Sequence, residues 1–220
     1  MHFDGSDLAA IVLAGGRARR LGGGTKPARA VGGTPLLVRV LEAVRGAAAR
    51  VVVGPAELDG LLPAGVLRTS EEPPGAGPVA AIAAGLAVLP RRPALVAVLG
   101  SDLPFVDDAT LWTLCDALAT HSIDAAVVVD ETDRPQWMLG VWRGEALARR
   151  LDAMRSGDAG RSGDAGRSGG GLDGRGMREL AAGLPRAELR IGATTPPPWF
   201  DCDTEDDLRK AEEWARGDAG

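Results

Sequence analysis

Five short apolar runs rich in β-branched residues recur along the chain, and segments of helical spacing separate most of them. Leu8–Ala14, Arg50–Val53, Val66–Arg68, Ala94–Leu99 and Ile123–Val129 show little polar alternation, which predicts strands buried on both faces of a sheet. Pro35–Arg45, Pro78–Val88 and Asp107–Ala119 predict helices, the first two with proline near the start, where its missing N–H costs nothing. Strands that alternate with helices need crossover connections, which make the sheet mostly parallel and cover its faces with helices. The fold class is therefore α/β. At 220 residues, 45% of them hydrophobic, the chain can bury one substantial core, so residues 1–220 are expected to form a single domain.

The pattern breaks at Arg155, where RSGDAG occurs twice and is followed by RSGGG. A six-residue repeat of small and polar side chains offers no apolar face, so 155–171 is expected to be a flexible insertion. Beyond it, Met177–Ala182 predicts a short helix, Ala187–Gly192 a strand and Thr204–Arg216 a last helix. Thr204 is the cap of that helix, with Glu205, Asp206 and Asp207 in its first turn.

The formal net charge of −5 argues against a general nucleic-acid binder, so positive charge matters only where it is local. Cys115 and Cys202 have no neighbours at metal-ligand spacing and suit a reducing, cytoplasmic compartment. His2 and His121 are too isolated for a zinc site or a catalytic triad. The first ten residues lack a basic region followed by a long apolar run, and no stretch of about 18 apolar residues occurs, so neither a signal peptide nor a membrane span is expected.

Local positive charge is concentrated in one place. Leu13–Lys26, LAGGRARRLGGGTK, holds five glycines, three arginines and a lysine with no acid among them. It follows the first predicted strand, at the carboxyl edge of the sheet, where open α/β folds bind ligands. Glycines there let backbone N–H groups approach a phosphate, and fixed cations neutralise it. The spacing matches neither the Walker pattern nor a dinucleotide fingerprint. Asp102, in LGSDLPFVD, lies just beyond another predicted strand at the same edge; its carboxylate can hold a magnesium ion bridging phosphate oxygens, or merely steady the turn before Pro104. Asp201 and Asp203, in FDCDTEDDL, point the same way on an extended segment and offer a second metal ligand, or a helix start.

Taken together, these segments resemble the molybdenum cofactor guanylyltransferases, within the wider class of sugar-nucleotide-like nucleotidyltransferases. LAGG followed by a basic run, glycines, Lys26 and then GGTPLL is similar to the family's opening motif. GAGPVAAI over 75–82 looks like its base-recognition segment, SDLPF like its metal motif, and FDCDTEDDL like its closing motif. The resemblance implies a Rossmann-like nucleotidyltransferase fold and transfer of GMP from GTP to the molybdopterin (molybdenum) cofactor, with Mg2+ as cofactor and pyrophosphate released. It further implies that Leu13, Ala14 and Gly15 contact the nucleotide through backbone, that Lys26 is the main cation at the triphosphate, and that Asp102 is the magnesium ligand. By the same resemblance Arg20 and Gly23 fall at active-site positions, Gly77 and Pro78 in the base segment, and Glu71 near a family Asp whose spacing differs; Asp203 remains the candidate second metal ligand from its spacing. The partners implied are GTP and molybdopterin, with transient contact to cofactor-synthesis or acceptor proteins, and neither nucleic acid nor membrane.

The chain also departs from the family. Asp201 and Asp203 replace commoner asparagines, approaching the pattern of cytidylyltransferases; Thr25 precedes Lys26 where Asp is usual, and Ser101 precedes Asp102 where Cys is frequent. Two other readings stay open: transfer of CMP or another nucleotide to a related pterin or small phosphorylated acceptor, and a nucleotide-binding module without turnover.

Overall fold

In a computed structural model, which describes residues 7–15, 25–157, 171–191 and 195–217, the apolar runs assemble side by side. In chain order the elements are β1 (Leu8–Leu13), β2 (Ala30–Val31), β3 (Thr34–Pro35), α1 (Leu36–Ala43), β4 (Ala49–Val53), β5 (Val66–Thr69), α2 (Pro78–Ala87) and β6 (Leu95–Gly100). There follow α3 (Asp108–Thr120), β7 (Ala125–Val129), β8 (Pro135–Arg143), α4 (Gly144–Arg155), α5 (Met177–Ala181), β9 (Arg186–Arg190) and α6 (Glu205–Arg216). Seven strands form one sheet in the order β5-β4-β1-β6-β8-β7-β9. All pairings are parallel except those of β8, which runs antiparallel to both β6 and β7. β2 and β3 make a separate hairpin closed by Gly32 and Gly33 at φ 58° and 76°, the left-handed pair a two-residue hairpin demands.

Side chains alternate between the two faces of each strand, and helices cover both. Leu8, Ala10 and Val12 of β1 pack with Leu37, Val40 and Leu41 of α1 and with Leu111, Leu114 and Leu118 of α3. Ile11, Val51 and Val53 point the other way, onto Val79 and Ile82 of α2, Leu147 and Leu151 of α4, and Leu180 of α5. Gly85 lets α2 sit close on β1, since a Cβ there would stand 2.7 Å from Cγ2 of Ile11. A third cluster joins Leu208 and Ala211 of α6 to Val31 and Leu36, which ties the last helix back to the hairpin. Among the described residues no helix is long and apolar enough to cross a membrane.

The sheet and its helices bear out the α/β expectation, but the strand β8 and the β2–β3 hairpin were not expected, and α4 and β9 also differ. The helix α4 was not foreseen, and it takes Arg155 out of the insertion: the apolar face continues through Leu151 to Met154, and Arg155 closes the last turn on Asp152 at 3.0 Å. The remainder of the expected insertion lies mostly outside the described residues, from 158 to 170. The strand expected over 187–192 is β9, Arg186–Arg190, which pairs with β7 from Ala125↔Arg186 to Val129↔Arg190; Gly192 lies outside the described residues.

Candidate active site

Because β5, β4, β1 and β6 are parallel and in register, Thr69, Val53, Leu13 and Gly100 end together at one sheet edge. Every segment singled out from the sequence departs from this edge or returns to it. Leaving β1, Ala14 donates its N–H to the Val53 carbonyl at 2.8 Å, and the Leu13 carbonyl accepts from Ser101 at 3.1 Å. Those two groups are engaged in the sheet, and Gly15 stands beyond them. Arg17, Arg19, Arg20 and Gly23 lie outside the described residues.

Lys26 re-enters on a single 3-10 turn, Lys26–Ala28, with Pro27 in its first positions. The structure buries Lys26 to 3% exposure. Its Nζ donates to Oδ2 of Asp102 at 2.7 Å and to Oδ1 of Asp203, so one ammonium is held between two carboxylates. Burial opposes that charge, but Asp102 and Asp203 outweigh it and raise the pKa of Lys26, so it stays protonated at neutral pH.

Asp102 is aimed by the turn after β6 and Asp203 by the extended segment before α6. These segments are joined where the Cys202 N–H donates to the Asp102 carbonyl at 3.1 Å. Asp203 is followed by the Thr204 cap, whose hydroxyl accepts from the Asp207 N–H while the Asp207 carboxylate accepts from the Thr204 N–H. Arg29 adds a two-pronged contact to Glu205 at 2.7 and 2.8 Å. Loss of water around its carboxyl, then the charges of Asp203 and Asp102, push Asp201 up to about 6, although the residue as a whole remains exposed. Burial pushes the Cys202 thiol up to about 12, which keeps it protonated and poorly nucleophilic.

A second group sits at the same edge. Glu71, 7% exposed, accepts from the Gly75 N–H at 3.0 Å. A Cβ built on Gly15 would lie 3.5 and 3.7 Å from its two carboxylate oxygens. Gly77 caps α2 at φ 97°, with Pro78 as the first helical residue, so the segment can turn sharply into the helix. The structure thus brings Lys26, Asp102, Asp201 and Asp203 together, and separately Gly15, Glu71 and Gly75. Sequence reasoning missed two contributors. Gly174 donates its N–H to the Ala76 carbonyl at 2.7 Å, which buttresses the Gly75–Pro78 turn from behind. Gly100 leaves room for the Asp102 carboxylate, which would stand 2.6 Å from a Cβ at that position. Gly174 acts through its backbone N–H and Gly100 through the absence of a side chain, so neither carries a chemical signature of its own.

Two hard oxygen donors already converge on one cation here, which fits a magnesium ion, since Mg2+ takes one or two carboxylates and fills its remaining positions with water and phosphate oxygens. Among the described residues no group of three or more His, Cys, Asp or Glu side chains is placed to hold a metal by itself.

The comparisons with known proteins agree with this geometry. Residues 10–167 match the family described as the MobA-like NTP transferase domain. A probable molybdenum cofactor guanylyltransferase of Mycobacterium tuberculosis is 33% identical over 153 residues, covering 67% of this chain and 73% of the relative. A molybdenum cofactor guanylyltransferase of Rhodopseudomonas palustris is 28% identical over 218 residues, covering 96% and 95%. The crystal structure of molybdopterin-guanine dinucleotide biosynthesis protein A from Archaeoglobus fulgidus superposes with a TM-score of 0.69 at 22% identity, covering 95% of this chain and 99% of that one, a likeness of fold. On the sequence match and the geometry of its sheet edge, this chain is a nucleotidyltransferase of the MobA-like NTP transferase family.

Proposed function

We propose that the chain joins GMP from GTP to the terminal phosphate of molybdopterin, acting as one domain over residues 1–220. An oxygen of the pterin phosphate attacks the α-phosphorus of GTP, the bond to the β-phosphate oxygen breaks, and pyrophosphate leaves with that electron pair. The observation that carries the reading is the buried Lys26 ammonium flanked by Asp102 and Asp203 at the carboxyl edge of β1 and β6. The names of the relatives above support the choice of acceptor and base.

Phosphoryl transfer asks the protein for positioning and charge neutralisation more than for an acid or base. Lys26 meets the triphosphate as a compact point charge, and Arg20 and Gly23 join it by resemblance. Asp102 and Asp203 would hold Mg2+, which supplies charge neutralisation across the phosphates when bound. Gly15, with Leu13 and Ala14, lines the path of the nucleotide, and Glu71, Gly77 and Pro78 form the side that meets the base. The free thiols Cys115 and Cys202 suit a reducing cytoplasm, where the product would pass to acceptor proteins.

A second reading, transfer of CMP, is favoured by one feature: Asp201 and Asp203 stand where the family more often has asparagines. Pyrophosphate release by the purified chain, with molybdopterin and each of the four nucleoside triphosphates, separates the two. The relatives are guanylyltransferases by name, so GTP is expected to be turned over first. Preference for CTP would replace the guanylyl reading, and no turnover with any nucleotide would overturn both.

A further inference from the structure

Each of the two acidic motifs also carries a phenylalanine that the proposed chemistry leaves unused. Phe105 follows Asp102 by three residues, and Phe200 precedes Asp203 by three. In the fold the two rings approach to 6.2 Å at 51°. Trp214, from the last turns of α6, meets both edge-on: 5.7 Å and 74° to Phe105, 4.9 Å and 78° to Phe200. Lys210 lies over Trp214 at 4.7 Å and over Phe200 at 5.6 Å. Phe105 and Phe200 rest on the buried cluster of Val31, Leu36, Cys202 and Leu208.

The segment carrying Asp201 and Asp203 belongs to no strand or helix, so no backbone ladder sets its position. Among the described residues, what holds it against the Asp102 loop is the Lys26 ammonium shared by Asp102 and Asp203, the Cys202-to-Asp102 backbone hydrogen bond, the buried Cys202 side chain, and the ring trio. Edge-to-face ring pairs are directional and add to the energy of plain apolar contact. Trp214 touches one ring from each acidic motif and stands on a helix whose first turn is fixed by the Thr204–Asp207 capping box. We propose that Trp214 is a positioning residue of the transfer site: by locking Phe200 to Phe105 it sets the separation of the Asp203 and Asp102 carboxylates, and with it the place of the cation between them. The part of this that concerns catalysis rests on the reading of those two acids as metal ligands.

The chain's two lysines make the test direct. With 13C placed selectively at lysine Cε, Lys210 reports the rings and Lys26 reports the two carboxylates, while Mn2+ titrated in the presence of GTP and followed by electron paramagnetic resonance reports the metal. Trp214→Ala should sharply reduce the ring-current shift of Lys210, move the Lys26 signal toward its position in Asp203→Asn, and raise the Mn2+ half-saturation about tenfold, as expected for two lost ring pairs. Trp214→Phe should restore both signals and bring half-saturation to within about threefold of the parent, since it keeps an edge-on ring. If Trp214→Ala does not fold, Phe200→Leu, which keeps the bulk and loses the ring, should displace Lys26 in the same way.

A folded Trp214→Ala or Phe200→Leu with Lys26 at its parent position overturns the proposal. So does a displaced Lys26 with unchanged Mn2+ binding, where Asp203→Asn does weaken that binding. Unchanged Mn2+ binding in Asp203→Asn overturns instead the assignment of Asp203 as a metal ligand, and the Lys26 signal alone then decides whether Trp214 positions the acids.

Discussion

The smallest change with the largest expected effect on turnover is Gly100→Ala. Gly100 ends β6 with its backbone outside the left-handed region, so alanine is not strained there. The new Cβ would stand 3.4 Å from Cβ of Met138, which needs only a few tenths of an ångström of relief, but 2.6 Å from Oδ1 of Asp102. Comfortable non-bonded contact requires about 3.5 Å, so the carboxylate must retreat by roughly 1 Å. Asp102 has only two side-chain torsions, and its other oxygen is held on Lys26 at 2.7 Å. A displacement of that size at a positioning group costs about a hundredfold in rate. Stability should change by less than about 1 kcal/mol, because the lost backbone freedom of the unfolded chain offsets the crowding. The assay pairs kcat at saturating GTP, Mg2+ and molybdopterin with the urea midpoint. In the double variant Gly100→Ala/Asp102→Ala the losses should not add, since both act through one carboxylate. Unchanged kcat in Gly100→Ala, or fully additive losses, would refute the reasoning.

Three further outcomes follow from the same geometry. Lys26→Ala should reduce turnover far more than Arg17→Ala and should also cost about 1–2 kcal/mol in urea unfolding, less than a fully buried pair because Asp203 is 68% exposed; equal small rate losses would remove Lys26 from the chemistry. Deleting 158–169 should leave both the unfolding midpoint and kcat close to those of the parent, since the repeats offer no apolar face and shortening a connection changes closure entropy little; loss of cooperative unfolding would place the repeats in the core. Asp201 holds its proton more tightly folded than unfolded, its pKa raised from 3.8 to about 6, so its favourable contribution is complete below pH 4 and is lost as pH climbs through 6. Asp201→Asn, measured without nucleotide or metal, should therefore gain stability over the parent between pH 6 and 8, by about 1 kcal/mol after allowance for solvent screening, and equal stabilities at pH 5 and 8 would contradict the shift.

Strands buried on both faces were legible because their signal is local: an apolar run such as Leu95–Leu99 has one reading at that length, and the observed β6 differs from the expected span by a single residue at each end. Sheet order was not legible. β8 reverses direction between β6 and β7, and its exposure changes from partly buried at Pro135–Met138 to buried at Leu139–Trp142, so it lacks the uniform apolar character that marks the central strands. The helix α4 was hidden by its neighbours: Leu147, Leu151 and Met154 have helical spacing, but arginines and acids between them and the repeats beyond make the stretch read as polar.

The site divides along the same line between local and distant. Motif residues were visible one at a time, and Lys26 and Asp102 drew separate roles, one on the triphosphate and one on the metal. The fold makes them partners across 76 residues, with Asp203 joining from 177 residues away. That pairing has a chemical consequence that single residues lack. Two carboxylates facing each other across a gap would repel unless a cation stood between them, and the ammonium of Lys26 fills that place in the free chain. On the proposed function, a triphosphate arriving with Mg2+ would bring both a new cation for the acids and a new set of anions for the lysine. Each group can then exchange its partner for one of the same charge, so the buried ammonium need never be left uncompensated as the substrate enters.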